Sequence, residues 1–195
     1  MALQTNLIAM VEQRSAEERI EIASRQKGMH ELHLTGLQLS TVPPTIKKLS
    51  PTLKELFLAH NRIKILPDEV CGLASLEKLD LTDNRLQDLP PSIGDLRSLK
   101  YLHLGQNCLE ELPHAIGHLK MLSWLDARYN KLVRLPNQAL RTMPALTLVW
   151  LDGNPCCGPD GLEADTGTDW MRKGILGAGT PKLGLVQKND NKNSA

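Results

Sequence analysis

The chain has 195 residues and a formal net charge of +1. That is enough for one domain with a substantial core, but too balanced for the basic footprint of a nucleic-acid or anionic-membrane binder. Only 3% of the residues are aromatic, so something other than rings must supply most of the buried area. No run approaches the ~18 apolar residues of a membrane-spanning helix.

From the N-terminus, Leu3, Leu7 and Val11 share one face of a possible first helix. Glu12, Gln13 and Arg14 break this apolar patch, and no small-residue cleavage site follows, so it does not read as a secretory signal. "SAEE" at 15–18 fits a capping box with Ser15 as N-cap and Glu18 reaching back. Ile20 and Ala23 would face whatever comes next, and Gly28 stands where the helix must have ended. Residues 1–28 are therefore expected to form a helical N-terminal cap.

The next segment repeats. Asn recurs at Asn61, Asn84, Asn107, Asn130 and Asn154, always in one frame. Leu53, Leu56, Leu58, Asn61, Ile63, Leu66 and Pro67 form one copy. Leu76, Leu79, Leu81, Asn84, Leu86, Leu89 and Pro90 form the next, and Leu99 to Pro113 and Leu122 to Pro136 repeat it. An earlier copy (Met29, Leu32, Leu34, Leu37, Leu39, Val42, Pro43) carries Leu37 in place of Asn, and a partial copy ends at Asn154. The alternating centre of each copy suits a short strand with Leu inward. Stacked copies then give a parallel sheet on the concave side, while Asn satisfies backbone groups at the turn. Pro and the following apolar residues return the chain over the core in short 3₁₀ or extended segments.

This frame resembles the leucine-rich repeat, L-x-x-L-x-L-x-x-N-x-L, in its 23-residue form with L-P-x-x-I in the second half, where Ile93 and Ile116 match the last Ile. The subtype is similar to Ras-suppressor-like, Scribble-like and plant intracellular Ras-group proteins. The resemblance implies an α/β leucine-rich-repeat solenoid of six copies over 29–155. It also implies a protein-interaction function, with small-GTPase or kinase/phosphatase signalling as the expected setting. Short proteins of this type are also similar to axonemal dynein light chains, which leaves a structural subunit of a stable assembly as the alternative.

After the repeats, "GNPCCGPDG" breaks the frame. Asn-Pro-x-x-Cys resembles the start of a cysteine-stapled secreted cap, but no cysteine follows Cys157 to complete it. Residues 156–176 are expected to form a C-terminal cap, with Thr168 starting a short helix and Trp170 packing down. Residues 177–195 are expected to be mostly disordered. Cys71, Cys108, Cys156 and Cys157 lack metal-ligand spacing. They read as reduced thiols of a cytoplasmic protein that needs no metal or cofactor.

The outward positions of the six strands form columns across the concave face. The third-position column runs Glu31, Glu55, Lys78, Tyr101, Trp124, Leu148, and the fifth His33, Phe57, Asp80, His103, Asp126, Trp150. The seventh runs Thr35, Ala59, Thr82, Gly105, Arg128, Asp152, and the eighth Gly36, His60, Asp83, Gln106, Tyr129, Gly153. Five of the six aromatics fall in these columns, where chance placement would put fewer than one. Phe57, Tyr101, Trp124, Tyr129 and Trp150, with His103, Asp126 and Arg128, are therefore the expected protein-binding residues. A covering C-terminal tail is the competing explanation of the rings. His103 between Asp80 and Asp126 is expected to hold its proton near neutral pH, and Arg128 to meet a partner carboxylate. No Ser or Cys occupies these columns, and no catalytic domain fits after the repeats. The expectation is a non-enzymatic module, monomeric by itself, with a protein partner and neither nucleic-acid binding nor membrane insertion.

Overall fold

In the computed structural model, residues 15–26, 28–157 and 182–183 are described. The expected helix through Leu3, Leu7 and Val11 lies outside them, as does the expected helix at 168–176.

Helix α1 (Ala16–Arg25) starts with the capping box the sequence spells. The Ser15 hydroxyl accepts from the Glu18 amide at 3.3 Å, and the Glu18 carboxylate accepts from the Ser15 amide at 3.0 Å. Together these satisfy two amides that the first helical turn leaves open. Ala16, Ile20 and Ala23 are buried, and α1 packs on the first strand and the first convex turn. Lys48 reaches back to Glu21 at 2.7 Å.

Each repeat contributes a three-residue strand: β1 (Glu31–His33), β2 (Glu55–Phe57), β3 (Lys78–Asp80), β4 (Tyr101–His103), β5 (Trp124–Asp126) and β6 (Leu148–Trp150). They pair in parallel and in chain order, in the register of the sequence columns: Asp80 opposite His103, His103 opposite Asp126, Asp126 opposite Trp150. Leu32, Leu56, Leu79, Leu102, Leu125 and Val149 point inward from the strand centres and are buried. Ala127, short where the other complete copies have Leu, is as fully buried as they are.

The five Asn side chains bolt one copy to the next. The Asn107 amide donates to the Leu104 carbonyl of its own turn and the Leu81 carbonyl of the preceding copy, while its oxygen accepts from the Leu86 amide at 3.0 Å. Asn61, Asn84, Asn130 and Asn154 repeat this pattern. All five are buried, so their polar atoms must be satisfied internally, and here the same bonds fix the stacking.

On the convex side the chain returns through 3₁₀ turns at Pro44–Leu49, Pro91–Asp95 and His114–His118, with two single-turn helices, α2 (Asp68–Cys71) and α3 (Asn137–Arg141), while a fourth 3₁₀ turn, Pro155–Cys157, follows the turn residue Asn154 directly. Pro43, Pro67, Pro90, Pro113 and Pro136 each sit just ahead of the convex 3₁₀ turn or helix of their copy, at φ between −58° and −76°. That is the φ the proline ring imposes.

The sheet carries a seventh strand that the sequence did not announce. β7 (Lys182–Leu183) pairs with β6 in parallel, Lys182 opposite Leu148 and Leu183 opposite Val149. It lies in the segment expected to be disordered. The reason is the open edge of β6, whose unpaired amides and carbonyls are a template for any nearby backbone.

Candidate protein-binding surface

The backbone sets where the outward side chains can go. At the third and fifth positions they stand off the sheet. At the eighth position the chain turns through left-handed backbone in every copy: Gly36 (φ 70°), His60 (57°), Asp83 (53°), Gln106 (57°), Tyr129 (53°) and Gly153 (75°). The residues of that column are therefore carried at the rim of the sheet, beyond the strand ends. The conformation costs an L-residue about 1–2 kcal/mol, so four copies tolerate a strained side chain there.

Tyr101, Trp124 and Trp150 come together on β4, β5 and β6. Trp124 meets Trp150 edge-on with centroids 5.0 Å apart and Tyr101 at 6.4 Å. His103 lies against Trp124 at 5.9 Å. Tyr101 is 40% exposed, while the two indoles are half-buried by their neighbours. The Trp124 indole N–H is buried without a hydrogen-bond partner among the described residues.

Arg128 is already engaged. Its guanidinium grips Asp126 through two parallel bonds of 3.0 and 2.7 Å, and Asp126 also accepts the Arg128 amide at 3.1 Å. The other side of the guanidinium stacks on Trp150, with Cζ 4.1 Å from the ring centre. The fork expected to meet a partner carboxylate holds Asp126 within the chain. That pairing in turn keeps the Asp126 charge tolerable at 6% exposure. Arg128 pins Trp150 instead of reaching out.

His103 also departs from expectation. Burial lowers its pKa below the usual histidine value, and this outweighs the opposing pull of Asp80 and Asp126. The ring therefore stays neutral at pH 7. Sequence columns show the two carboxylates but not the desolvation, and here the desolvation wins.

The remaining expected residues lie apart from this cluster. Phe57 stacks flat on His33 at 4.4 Å, with the Lys78 ammonium 4.7 Å from its ring centre. It forms a separate patch on β1–β3. Tyr129 is 60% exposed at the rim and packs on Gly153, where any Cβ would collide with its ring. His33 and Lys78 were not singled out from the sequence. Their signal was present all the same, since His33 neighbours Phe57 in one column and Lys78 neighbours the strand carrying it. Among the described residues no group of His, Cys, Asp and Glu is placed to hold a metal ion, and no helix is long and apolar enough to cross a membrane.

A leucine-packed core, a buried Asn at five of the six turns and a one-stranded copy every 23 or so residues define a solenoid of leucine-rich repeats. The chain belongs to the leucine-rich repeat family, whose profile matches residues 27–86 and 74–132. Comparison with curated protein sequences gives no match. Among solved structures, a leucine-rich-repeat protein of Leptospira interrogans is 32% identical with a TM-score of 0.68. The match covers 79% of this chain and 37% of that one, so the chain spans little over a third of that relative's length. The ectodomain of the Arabidopsis thaliana receptor kinase SOBIR1 is 25% identical over 71% of this chain and 91% of its own, with a TM-score of 0.57. A plant peptide hormone receptor, RGFR1 in complex with RGF2, is 34% identical over 64% of this chain and 21% of its own, also at 0.57.

Proposed function

We propose that the chain is a non-enzymatic protein-binding module whose partner seats on the β4–β6 side of the concave sheet. The supporting observation is the Tyr101–Trp124–Trp150 cluster. It is a set of large rings set outward on a leucine-filled frame, with Trp150 pinned by Arg128. Rings held in place before binding lose little conformational freedom on contact, which is why Trp and Tyr dominate interface energetics. The similar structure of a plant peptide hormone receptor, RGFR1, was solved in complex with RGF2, which fits the same reading. Resemblance to the Ras-suppressor-like subtype directs the partner search to small-GTPase and kinase/phosphatase complexes. A reducing, cytoplasmic setting is part of the same proposal, in keeping with the free thiols Cys71 and Cys108.

The test is affinity capture from source-cell lysate with wild type and Tyr101→Ala/Trp150→Ala, both checked for identical circular dichroism and thermal unfolding. Wild type should capture partners that the variant loses. Equal capture by both sinks the proposal. Partners recovered in fixed stoichiometry through high-salt washes would instead indicate a permanent subunit of an assembly.

A further inference from the structure

The charge of the concave face differs from that of the chain. The four outward columns carry six carboxylates (Glu31, Glu55, Asp80, Asp83, Asp126, Asp152) and two cations (Lys78, Arg128), on a chain whose formal charge is +1. Both cations are used internally. Arg128 holds Asp126 at 2.7 Å and stacks on Trp150, and Lys78 lies over Phe57 and 3.9 Å from Glu55. His103 between them is neutral because it is buried. Asp80 accepts only a neighbouring backbone amide from Thr82, and Asp83 is met by the imidazole of His60. Asp80, Asp83 and Asp152 have no Lys or Arg ion-pair partner among the described residues.

These three carboxylates bracket the rings. Asp80 and Asp83 stand on β3 and just beyond it, Asp152 stands just beyond β6, and Tyr101, Trp124 and Trp150 lie between. With neighbouring strands about 4.8 Å apart, three strand steps separate the two acidic flanks by about 14 Å. An extended chain advances about 3.4 Å per residue, so about four residues span that distance. In an extended segment, residues i and i+4 point the same way, and so does i+2 between them.

We infer that the concave face takes an extended basic segment of a partner protein, crossing the strands with Lys or Arg four residues apart and an apolar or aromatic residue midway. One cation meets Asp80 and Asp83, the other meets Asp152, and the middle side chain lies on the Tyr101–Trp124–Trp150 rings. Opposite charge steers such a segment to the face and excludes acidic partners, and Tyr101 and Trp124, unlike Trp150 under Arg128, are left to face an incoming cation. The inference rests on the binding function proposed above and names the chemistry of its partner.

Selection of a random dodecapeptide display library on the immobilised full chain tests it. Enriched peptides should carry a net positive charge and the basic-x-x-x-basic spacing. The best of them, fluorescein-labelled, should bind wild type about tenfold more tightly than Asp83→Asn/Asp152→Asn, with a steep salt dependence that the variant loses. Neither substitution touches the rings or the buried frame, and unchanged thermal unfolding confirms that the variant folds. Enrichment of neutral or acidic peptides, no enrichment, or equal binding to the variant overturns the inference. If Tyr101→Ala/Trp150→Ala loses its lysate partners while Asp83→Asn/Asp152→Asn keeps them, the binding function stands and only the basic-partner inference falls.

Discussion

The interior of this solenoid and its concave surface follow opposite rules. Inside, each copy repeats the one before: Leu or Val at the strand centre, Leu or Ala two residues on and, from the second copy, Asn at the turn, bonding copy to copy in one pattern. Outside, no two copies agree. β1 and β2 carry the His33–Phe57 stack, β3 carries carboxylates, and β4–β6 carry the rings. A stacked fold makes this division possible because each copy contacts only its neighbours. Stability depends on inward positions and turns, leaving outward residues free to vary one strand at a time. Interior substitutions should therefore destabilise without a specific binding effect, and surface ones should do the reverse.

The largest effect is expected from Asn107→Ala. It strips the bolts between neighbouring copies: the buried Leu86 amide loses its acceptor, and the Leu81 and Leu104 carbonyls each lose one of their two Asn donors, keeping Asn84 and Asn130. The expected cost is about 3–5 kcal/mol, read as a lowered urea midpoint and early amide exchange around residues 81–107. Leu102→Ala follows at about 3 kcal/mol, from lost burial and the cavity left behind. If either change left stability intact but abolished peptide binding, the division between inside and outside would fail.

Arg128→Ala tests the boundary between the two regions. It removes the cation that compensates the buried Asp126 and releases Trp150. A cost of about 1–3 kcal/mol is expected, together with weaker binding. Arg128→Lys should restore part of the stability but not the ring geometry, because an ammonium can neither fork nor stack flat. Gly153→Ala should cost about 1–2 kcal/mol, since it forces a Cβ onto left-handed backbone and into the Tyr129 ring.

The smallest effect is a pH dependence from His103. Its folded pKa lies below its unfolded value, so the unfolded chain takes up the proton first. The neutral-ring stability is complete above the ordinary histidine pKa of about 6.5 and declines as pH falls through it. Wild type should therefore lose more stability between pH 7.5 and 5.5 than His103→Gln does, by urea unfolding at each pH. A loss of equal size would mean the ring is not the titrating group. Nuclear magnetic resonance of the imidazole should show its midpoint below that of a free histidine.

The repeat frame was legible because Leu and Asn recur at fixed spacing, and spacing alone fixes which residues neighbour each other across a parallel sheet. The columns read from the sequence are the registers of β1–β6. Depth and reach were not legible. The column that put Asp80 and Asp126 beside His103 does not reveal how little water reaches that ring. It puts Arg128 near both Asp126 and Asp152 without showing that the side chain folds back on Asp126. Nor does it show that Tyr129, on left-handed backbone at the rim, packs on Gly153 while Trp124 and Trp150 pair on the sheet. β7 was missed because a two-residue strand has no period to detect. What creates it is the free edge beside it.

The edge-on contact of Trp124 with Trp150 has an optical consequence. Two indoles 5.0 Å apart at an interplanar angle of 68° are close enough for their excited states to mix, giving a paired positive and negative band in the circular dichroism of the indole transitions. A segment wedged against the rings should alter that couplet and shift the emission maximum. The binding face thus supplies a label-free signal for its own titration.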